Sequence, residues 1–243
     1  MSARGRRIVV TGAGSGIGLA TCELHRARQD HVVGLDVQAT RAADGFPIVD
    51  VDLRDPEAVE RAIATAATML GGIDVLVCCA GVSRRGSVET TEAAEWDDVF
   101  AVNVRAAYLC ARAALPHLRQ GRDAAIVNVA SQFGLVATGG YVAYCASKAA
   151  LIHLTRAMAV DHGPEGIRVN AVCPGPTETP MLLGDLDAGA GQAGEVQRVI
   201  DRTLSGRPSR PDEIAEAIAF LGSGHASSAH GAVLAVDAGY SIH

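Results

Sequence analysis

The stretch from Arg7 to Leu24 constrains the fold more than any other part of the chain. Arg7 to Thr11 reads as a short buried strand. It runs directly into Gly12-Ala13-Gly14-Ser15-Gly16-Ile17-Gly18, and Leu19, Ala20, Cys22, Glu23 and Leu24 then recur at helical spacing. A strand, a glycine turn and a helix in that order let backbone approach a diphosphate closely and aim a helix N-terminus at its charge. The pattern is Thr-Gly-x-x-x-Gly-x-Gly; Ile17 stands where the commoner G-x-G-x-x-G fingerprint has its third glycine. A turn that only reverses the chain would also satisfy it.

The alternation then repeats. His31 to Leu35 is a strand ending at Asp36, and Phe46 to Val51 is another, followed by Asp52-Leu53. Asp55-Pro56-Glu57 opens a helix to about Leu70 with a cap, a proline at its first position and an acid in its first turn. Ile73 to Cys78 is a fourth strand that leaves at Ala80-Gly81. A long helix is expected from about Glu95 to Arg119, with Asn103 near its middle, and Ala124 to Val129 is a strand that delivers Ser131. A helix follows from Tyr141 to Asp161, then a strand from Ile167 to Val172 ending in Pro174-Gly175-Pro176. Gly184 to Gly194, within a lid-like segment of about 181–200, is rich in glycine and alanine and reads as mobile. Pro211 to Leu221 is a helix and Ala232 to Val236 a last strand. Strands and helices in this rhythm imply right-handed β-α-β units and an α/β doubly wound parallel sheet covered on both faces. No linker, repeat or shift of composition divides residues 1–243, so a single domain is expected.

Charge and cysteine usage narrow the function. A net charge of −6 and a pI near 5.7 argue against a nucleic-acid binder, which needs a basic face. The longest apolar runs, such as Val75 to Ala80, fall far short of the ~20 residues of a membrane span. Arg4, Arg6 and Arg7 are not followed by the long apolar run of a secretory signal. The six cysteines show no C-x-x-C spacing and the histidines no H-E-x-x-H pair, so no metal site is expected. A cytoplasmic protein with reduced thiols follows.

Two local signals carry chemistry. Tyr144 and Lys148 are four apart on one helix, so they share a face, and a nearby ammonium draws a phenol towards its charged form. Tyr144 is thereby a candidate acid/base, whereas Tyr141, with no basic residue at the same offset, reads as a pocket wall. Asp36, at the end of the second strand, is placed to accept hydrogen bonds from adenosine ribose hydroxyls and to repel a 2′-phosphate; neither Val37 nor Gln38 offers a compensating charge. NAD is the cofactor this selects.

Thr11 to Gly18, Asp36, Asp52-Leu53, Asn103, Ser131, Tyr144 with Lys148, and Pro174-Gly175 followed by Thr179 stand together in one order. In this the chain resembles the short-chain dehydrogenase/reductase family over nearly its whole length. The resemblance implies a seven-stranded parallel sheet in the order 3-2-1-4-5-6-7. It makes Tyr144 the general acid/base, Ser131 a hydrogen-bond partner of the same substrate oxygen, Lys148 the holder of the nicotinamide ribose, and Asn103 the anchor of a water that links Lys148 to solvent. Gly12, Ser15, Gly16, Ile17, Gly18, Asp36, Asp52, Leu53, Cys79, Ala80, Gly81, Pro174, Gly175, Thr177 and Thr179 would join Tyr144 and Lys148 in contacting NAD. A homotetramer is implied too, packed through helices around Arg105 to Leu118 and Ala146 to Val160. Two departures stand out: Cys78-Cys79-Ala80-Gly81 replaces the family's Asn-Asn-Ala-Gly, and Val236-Asp237-Ala238-Gly239 lacks one of a usual glycine pair. The expected activity is hydride transfer between NAD(H) and a small secondary alcohol or ketone, with Gln132, Phe133, Tyr141 and Met181 as candidate substrate walls. An NADPH-linked 3-oxoacyl thioester reductase and a non-catalytic NAD-binding regulator are the alternatives.

Overall fold

The computed structural model describes residues 5–37, 45–187 and 190–242. Seven strands form one parallel sheet: β1 (Arg7–Thr11), β2 (His31–Asp36), β3 (Ile48–Asp50), β4 (Val75–Cys78), β5 (Ala125–Val129), β6 (Arg168–Pro174) and β7 (Val233–Val236). Their spatial order is β3-β2-β1-β4-β5-β6-β7, the order the resemblance implies. Every pairing is parallel, with Val9 beside Val33 on one flank of β1 and beside Leu76 on the other. The chain therefore leaves β1 in one direction and later returns to its other side. That reversal opens a crevice at the carboxyl ends of the central strands, where α/β sheets place ligands.

Strands β4, β5 and β6 are buried along their whole length, which explains why they read as unbroken apolar runs rather than alternating ones. One face is covered by α2 (Pro56–Leu70), α4 (Ala106–Leu118) and α5 (Val142–His162), whose Ile63, Cys110 and Leu151 pack on Val9, Leu76 and Ile126. The other face is covered by α1 (Gly16–Ala27) and α8 (Pro211–Gly222), through Cys22, Ile214 and Ile218 against Val10, Val77 and Val127. Asp55 caps α2 by accepting from the backbone of Glu57 and Ala58, and Gly71 closes it in the left-handed conformation. α5 is the longest helix described, yet no helix among the described residues is long and apolar enough to cross a membrane.

One expectation changes. The single helix expected from Glu95 to Arg119 is three pieces: α3 (Ala93–Phe100), a π-helical turn (Ala101–Arg105) and α4. The wide turn adds a residue within the helix, a device found often at functional sites, and it holds Asn103. The glycine- and alanine-rich stretch Gly184 to Gly194 runs through α6 (Pro180–Asp187) and α7 (Ala190–Asp201); 188–189 lie outside the described residues. Alanine is the strongest helix former, and Val196 and Ile200, four apart and both buried, give α7 an apolar face. Gln38 also lies outside the described residues.

At the opposite edge of the sheet, Asp74 is fully buried just ahead of β4. It accepts from the backbone of Arg7 (2.9 Å) and Arg122 (2.8 Å) and from the Arg7 guanidinium at 2.6 Å and 3.1 Å. Burial alone would raise its pKa, but these donors outweigh it and hold the carboxyl at about 2. The amino-terminal edge of the sheet is thus locked by charge, which leaves the carboxyl edge to carry the crevice.

Candidate active site

A cavity of about 780 Å³ runs along the carboxyl ends of β1, β2, β4, β5 and β6. The glycine turn forms one wall. A Cβ on Gly12 would lie 2.9 Å from the Ala80 backbone, and Gly12 also has a φ of +68°. A Cβ on Gly16 would come within 3.0 Å of Thr179, at a φ of +52°. Only glycine fits such a turn, and it leaves bare backbone facing the cavity. Helix α1 begins at Gly16, so the positive end of its dipole lies at this wall, and Ser15, Ile17 and Gly18 line it. Asp36 closes the same corner, its Oδ2 accepting the Gly14 N–H at 2.9 Å.

Asp52 and Leu53 line the next part of the cavity. Asp52 is not available as a lone acceptor, because Arg54 grips both its oxygens at 2.8–3.1 Å while also reaching Asp98 at 3.0 Å. Across from them come Cys79, Ala80 and Gly81. The Thr11 hydroxyl accepts the backbone N–H of Cys79 at 3.0 Å and of Ala80 at 3.1 Å, fastening this segment to β1 without any side-chain amide. Cys78 and Cys79 pack into the cores on opposite faces of the sheet, and both thiols are free. Burial pushes Cys79 up to about 12 and Cys78 well above its usual range, so both are neutral and suited to packing rather than redox work. After β6, Pro174 and Gly175 lead to Thr177, whose hydroxyl donates to the Gly175 carbonyl at 3.0 Å, and to Thr179, which donates to the Thr177 carbonyl at 3.2 Å. All four line the cavity.

Ser131, Tyr144 and Lys148 meet in the same cavity. Ser131 follows β5, and its Oγ accepts the Phe133 N–H at 3.1 Å. Tyr144 and Lys148 occupy successive turns at the start of α5; Lys148 is 4% exposed and donates from Nζ to the Val129 carbonyl at 2.9 Å. Its Nζ stands 5.6 Å from the centroid of the Tyr144 ring. The expected lowering of the phenol by this lysine is overturned. Burial pushes Tyr144 up to about 12, against a hydrogen bond from the Ser131 side chain that lowers it, and burial brings Lys148 down to about 8. A low-dielectric pocket pushes each group towards its neutral form, although Lys148 at about 8 still carries its proton at neutral pH.

Asn103 is brought to this cluster but stands behind the cavity wall rather than on it. Its amide donates to the Val82 carbonyl (2.9 Å) and the Ser147 hydroxyl (3.0 Å), and its Oδ1 accepts the Val82 N–H at 2.8 Å. A Cβ on Gly81 would lie 3.3 Å from both Asn103 Oδ1 and Lys148 Nζ, so the two side chains press on the same glycine. The side-chain bonds of Asn103 are spent on protein, and it buttresses the loop after β4.

Gln132, Phe133, Tyr141 and Met181 all line the cavity, as expected of substrate walls. Sequence reasoning missed Arg54, Arg84, Arg85, Asp98, Arg198, Arg202 and Tyr240, which line it too. Tyr240 comes from the far end of the chain to set its ring edge-on to Phe133 at 5.9 Å, a contact no local pattern announces. Thr11 could have been found from its place at the head of the glycine turn. Among the described residues no cluster of His, Cys, Asp or Glu could hold a metal ion. The glycine cradle that a Cβ would fill, the helix N-terminus and Asp36 fit a nicotinamide dinucleotide.

Residues 11–241 match the family profile described as enoyl-(acyl carrier protein) reductase. The chain is 39% identical to 2-(R)-hydroxypropyl-CoM dehydrogenase of Xanthobacter autotrophicus, over 97% of this chain and 98% of that protein. It is 40% identical to cis-4-hydroxycyclohexanecarboxylate dehydrogenase of Sinomonas cyclohexanicum, over 97% of this chain and 96% of that one. Among solved structures, 3-ketoacyl-(acyl-carrier-protein) reductase from Brucella melitensis, complexed with NADH, superposes with a TM-score of 0.90 at 32% identity, covering 99% of this chain and all of that one.

Proposed function

The chain belongs to the short-chain dehydrogenase/reductase family, and on that premise we propose that it is an NAD-dependent oxidoreductase acting on a small secondary alcohol or its ketone. One observation carries the reading: Ser131, Tyr144 and Lys148 share a single cavity with a glycine cradle whose far corner is closed by Asp36.

When bound, NAD supplies the hydride acceptor and its reduced form the donor; every other step belongs to the protein. Ser131 Oγ hydrogen-bonds the substrate oxygen and holds the reacting carbon in place. In the reducing direction Tyr144 Oη gives its proton to the ketone oxygen as the alcohol forms; in the oxidising direction it takes the hydroxyl proton back. A phenol held at about 12 is ready as the donor, so reduction needs no adjustment at Tyr144, whereas oxidation needs added positive charge at the site. Lys148, buried and anchored on Val129, is assigned the ribose hydroxyls and the onward transfer of the proton, and Asn103 keeps the loop beside it in place. Gly12, Ser15, Gly16, Ile17 and Gly18 would hold the diphosphate, Asp52 and Leu53 the adenine end, and Cys79, Ala80, Gly81, Pro174, Gly175, Thr177 and Thr179 the middle and the carboxamide.

The thioester-reductase alternative gains support from the enoyl and 3-ketoacyl names among the comparisons, but Asp36 speaks against NADPH. A regulator that only binds NAD would need the cradle alone, and the complete Ser131, Tyr144, Lys148 set argues for turnover. We further assign the protein to the cytoplasm as a homotetramer acting without nucleic acid or membrane. A panel of secondary alcohols and ketones, read by NADH absorbance with NAD and NADP in parallel, tests the reading. Turnover with NAD supports it; firm NAD binding with no turnover across the panel transfers the case to the regulator.

A further inference from the structure

Directly after Ser131 stands a buried amide that the protein itself leaves unsatisfied. Gln132 is 2% exposed, and its side-chain Oε1 has no hydrogen-bond partner among the described residues. Its backbone carbonyl, by contrast, is in use. Gln132 opens the short turn Gln132–Gly134, and its carbonyl accepts the N–H of Leu135 and of Val136, both at 2.9 Å. The turn has no room to shift and rescue the side chain. A Cβ on Gly134 would lie 2.8 Å from the Lys148 backbone and from Ile152, so the turn is pressed against α5, and Ser131 pins it through the Phe133 N–H.

The other buried amide side chains among the described residues set the contrast. Asn103 uses both its ends, as does Asn170, which donates to the Ala229 carbonyl at 2.8 Å and accepts the Ala232 N–H at 2.9 Å. Asn128 leaves its oxygen unpaired but donates to Thr155 at 2.9 Å from within β5. None of these three lines the cavity, and Gln132 does. A buried amide oxygen without a donor forfeits its hydration and gains nothing in return, so folded chains keep few such atoms, and a ligand that completes the bond is one reason to keep one. The place matters as well. Ser131 and Gln132 are chain neighbours with Cα atoms ~3.8 Å apart, so a group held by Gln132 lies close to the reacting carbon.

We propose that the substrate carries a second hydroxyl on the carbon next to the reacting one, as a vicinal diol or the hydroxy ketone it becomes, and that Gln132 Oε1 accepts the hydrogen of that hydroxyl. The proposal rests on the oxidoreductase reading for its reacting carbon, whose oxygen Ser131 and Tyr144 hold. An amide oxygen accepts only a donor, and the hydroxyl is the donor that an alcohol substrate brings in kind. The free protein already bears the cost of the dry oxygen, so the hydroxyl gains its bond without stripping water from its partner. Gln132 is then a specificity residue, because a substrate with a methyl group in that place makes no such bond.

The experiment needs no turnover, since an alcohol bound beside NADH has no hydride acceptor. The vicinal cyclohexanediols, cis and trans, are titrated calorimetrically into the full-length protein with saturating NADH. Each is compared with the methylcyclohexanol of matching geometry, in which a methyl group replaces the second hydroxyl. The better diol is expected to bind at least about tenfold more tightly than its methyl counterpart, although the methyl compound is the more apolar. Gln132→Met keeps the length of the side chain and removes the amide. It should bring that ratio to within about twofold of one, with a melting temperature no lower than wild type, because no bond within the protein is lost. Gln132→Leu gives the same answer where Gln132→Met fails to fold. A wild-type ratio near or below one, no detectable binding of either diol, or a variant that keeps the preference would overturn the proposal. So would a variant that weakens both ligands alike and melts lower, which would make Gln132 a packing residue. An inactive alcohol panel with a Gln132-dependent preference for the diol would remove the proposed activity and leave the hydroxyl site standing; an active panel without that preference would do the reverse.

Discussion

Asp36 Oδ2 accepts the Gly14 backbone N–H at 2.9 Å, tying the end of β2 to the glycine turn at the head of α1. The bond fixes a carboxylate in the corner where an adenosine ribose would lie. A 2′-phosphate brought there meets a like charge, worth about 1–4 kcal/mol at contact distance between bulk-water and protein-surface dielectrics. NAD is therefore expected to bind at least about tenfold more tightly than NADP. Asp36→Asn keeps an acceptor for Gly14 but drops the charge, so it should narrow the gap mainly by improving NADP. Fluorescence titration of both cofactors decides it, and equal affinities in the wild type would remove Asp36 from this role.

Much of this architecture is legible in the chain because it is local. β4 to β6 are buried on both faces, so their apolar runs show without any knowledge of neighbours, and Tyr144 and Lys148 meet because four residues make one turn of α5. What escapes the sequence is set by distant parts. The direction of the Tyr144 shift depends on how deeply the assembled pocket buries it, which no spacing encodes. The π-helical turn at Asn103 inserts one residue and barely disturbs the apolar period, so it is invisible until α3 and α4 are docked. The edge-on contact between Phe133 and Tyr240 joins residues more than a hundred positions apart, so no local pattern announces it.

Asp74 should govern acid stability. Its carboxyl is held at about 2 against an ordinary value of 3.8, so its contribution is complete above about 3.8 and is lost as the pH falls towards 2. Removing one partner of such a buried pair costs roughly 3–5 kcal/mol. Asp74→Ala should therefore lower the urea midpoint at pH 7 sharply, and the difference from wild type should shrink between pH 4 and 2. A midpoint unchanged at pH 7 would show that Arg7 and the two backbone amides find water instead.

Ala238 holds a φ of +53°, in the left-handed region that glycine tolerates, one residue before Gly239 at +80°. Asp237 pins the turn by accepting from Gly239 and Ser241, both at 3.0 Å, and Leu204 donates to the Ala238 carbonyl at 2.8 Å. A Cβ in that conformation is strained by roughly 1–2 kcal/mol, partly offset by the entropy glycine loses on folding. Ala238→Gly should raise stability by about 0.5–1 kcal/mol, seen as a melting point higher by a few degrees at most. A lower melting point would mean that the methyl packs usefully enough to outweigh its strain.

Of the helices assigned to subunit packing, α4 buries Ala106, Ala107, Ala111 and Ala114 in this chain's own core, whereas α5 leaves Ala149 and Ala157 exposed, so the homotetramer rests on what the two leave outside. Tyr108 is 47% exposed and lines a groove of about 590 Å³ with Phe100, Val104 and Leu154, flanked by Asp97 and Arg105. Sedimentation equilibrium should give about four times the 25.0 kDa chain mass. Tyr108→Glu, which places a charge in that groove, should shift the distribution to smaller species. A wild-type monomer at micromolar concentration would withdraw the assignment.

Tyr144→Phe separates an enzyme from a cofactor-binding regulator. The change removes one oxygen, keeps the ring and its packing, and leaves Lys148 on the Val129 carbonyl. If Tyr144 gives and takes the proton, turnover should fall by roughly 10²–10⁴, the usual worth of general acid/base catalysis. That fall corresponds to about 3–5.5 kcal/mol of transition-state stabilisation. NADH affinity should stay within a few-fold of wild type, because the cradle from Gly12 to Gly18 and Asp36 are assigned most of that binding. Lys148→Ala should lower both affinity and rate, since a buried lysine assigned to the ribose serves both. The pH dependence gives a second reading. With the phenol at about 12 and Lys148 at about 8, ketone reduction should begin to decline near pH 8 as Lys148 loses its proton, well before Tyr144 does. A Tyr144→Phe variant that turns over at nearly the wild-type rate would take the proton away from Tyr144 and require another donor in the cavity.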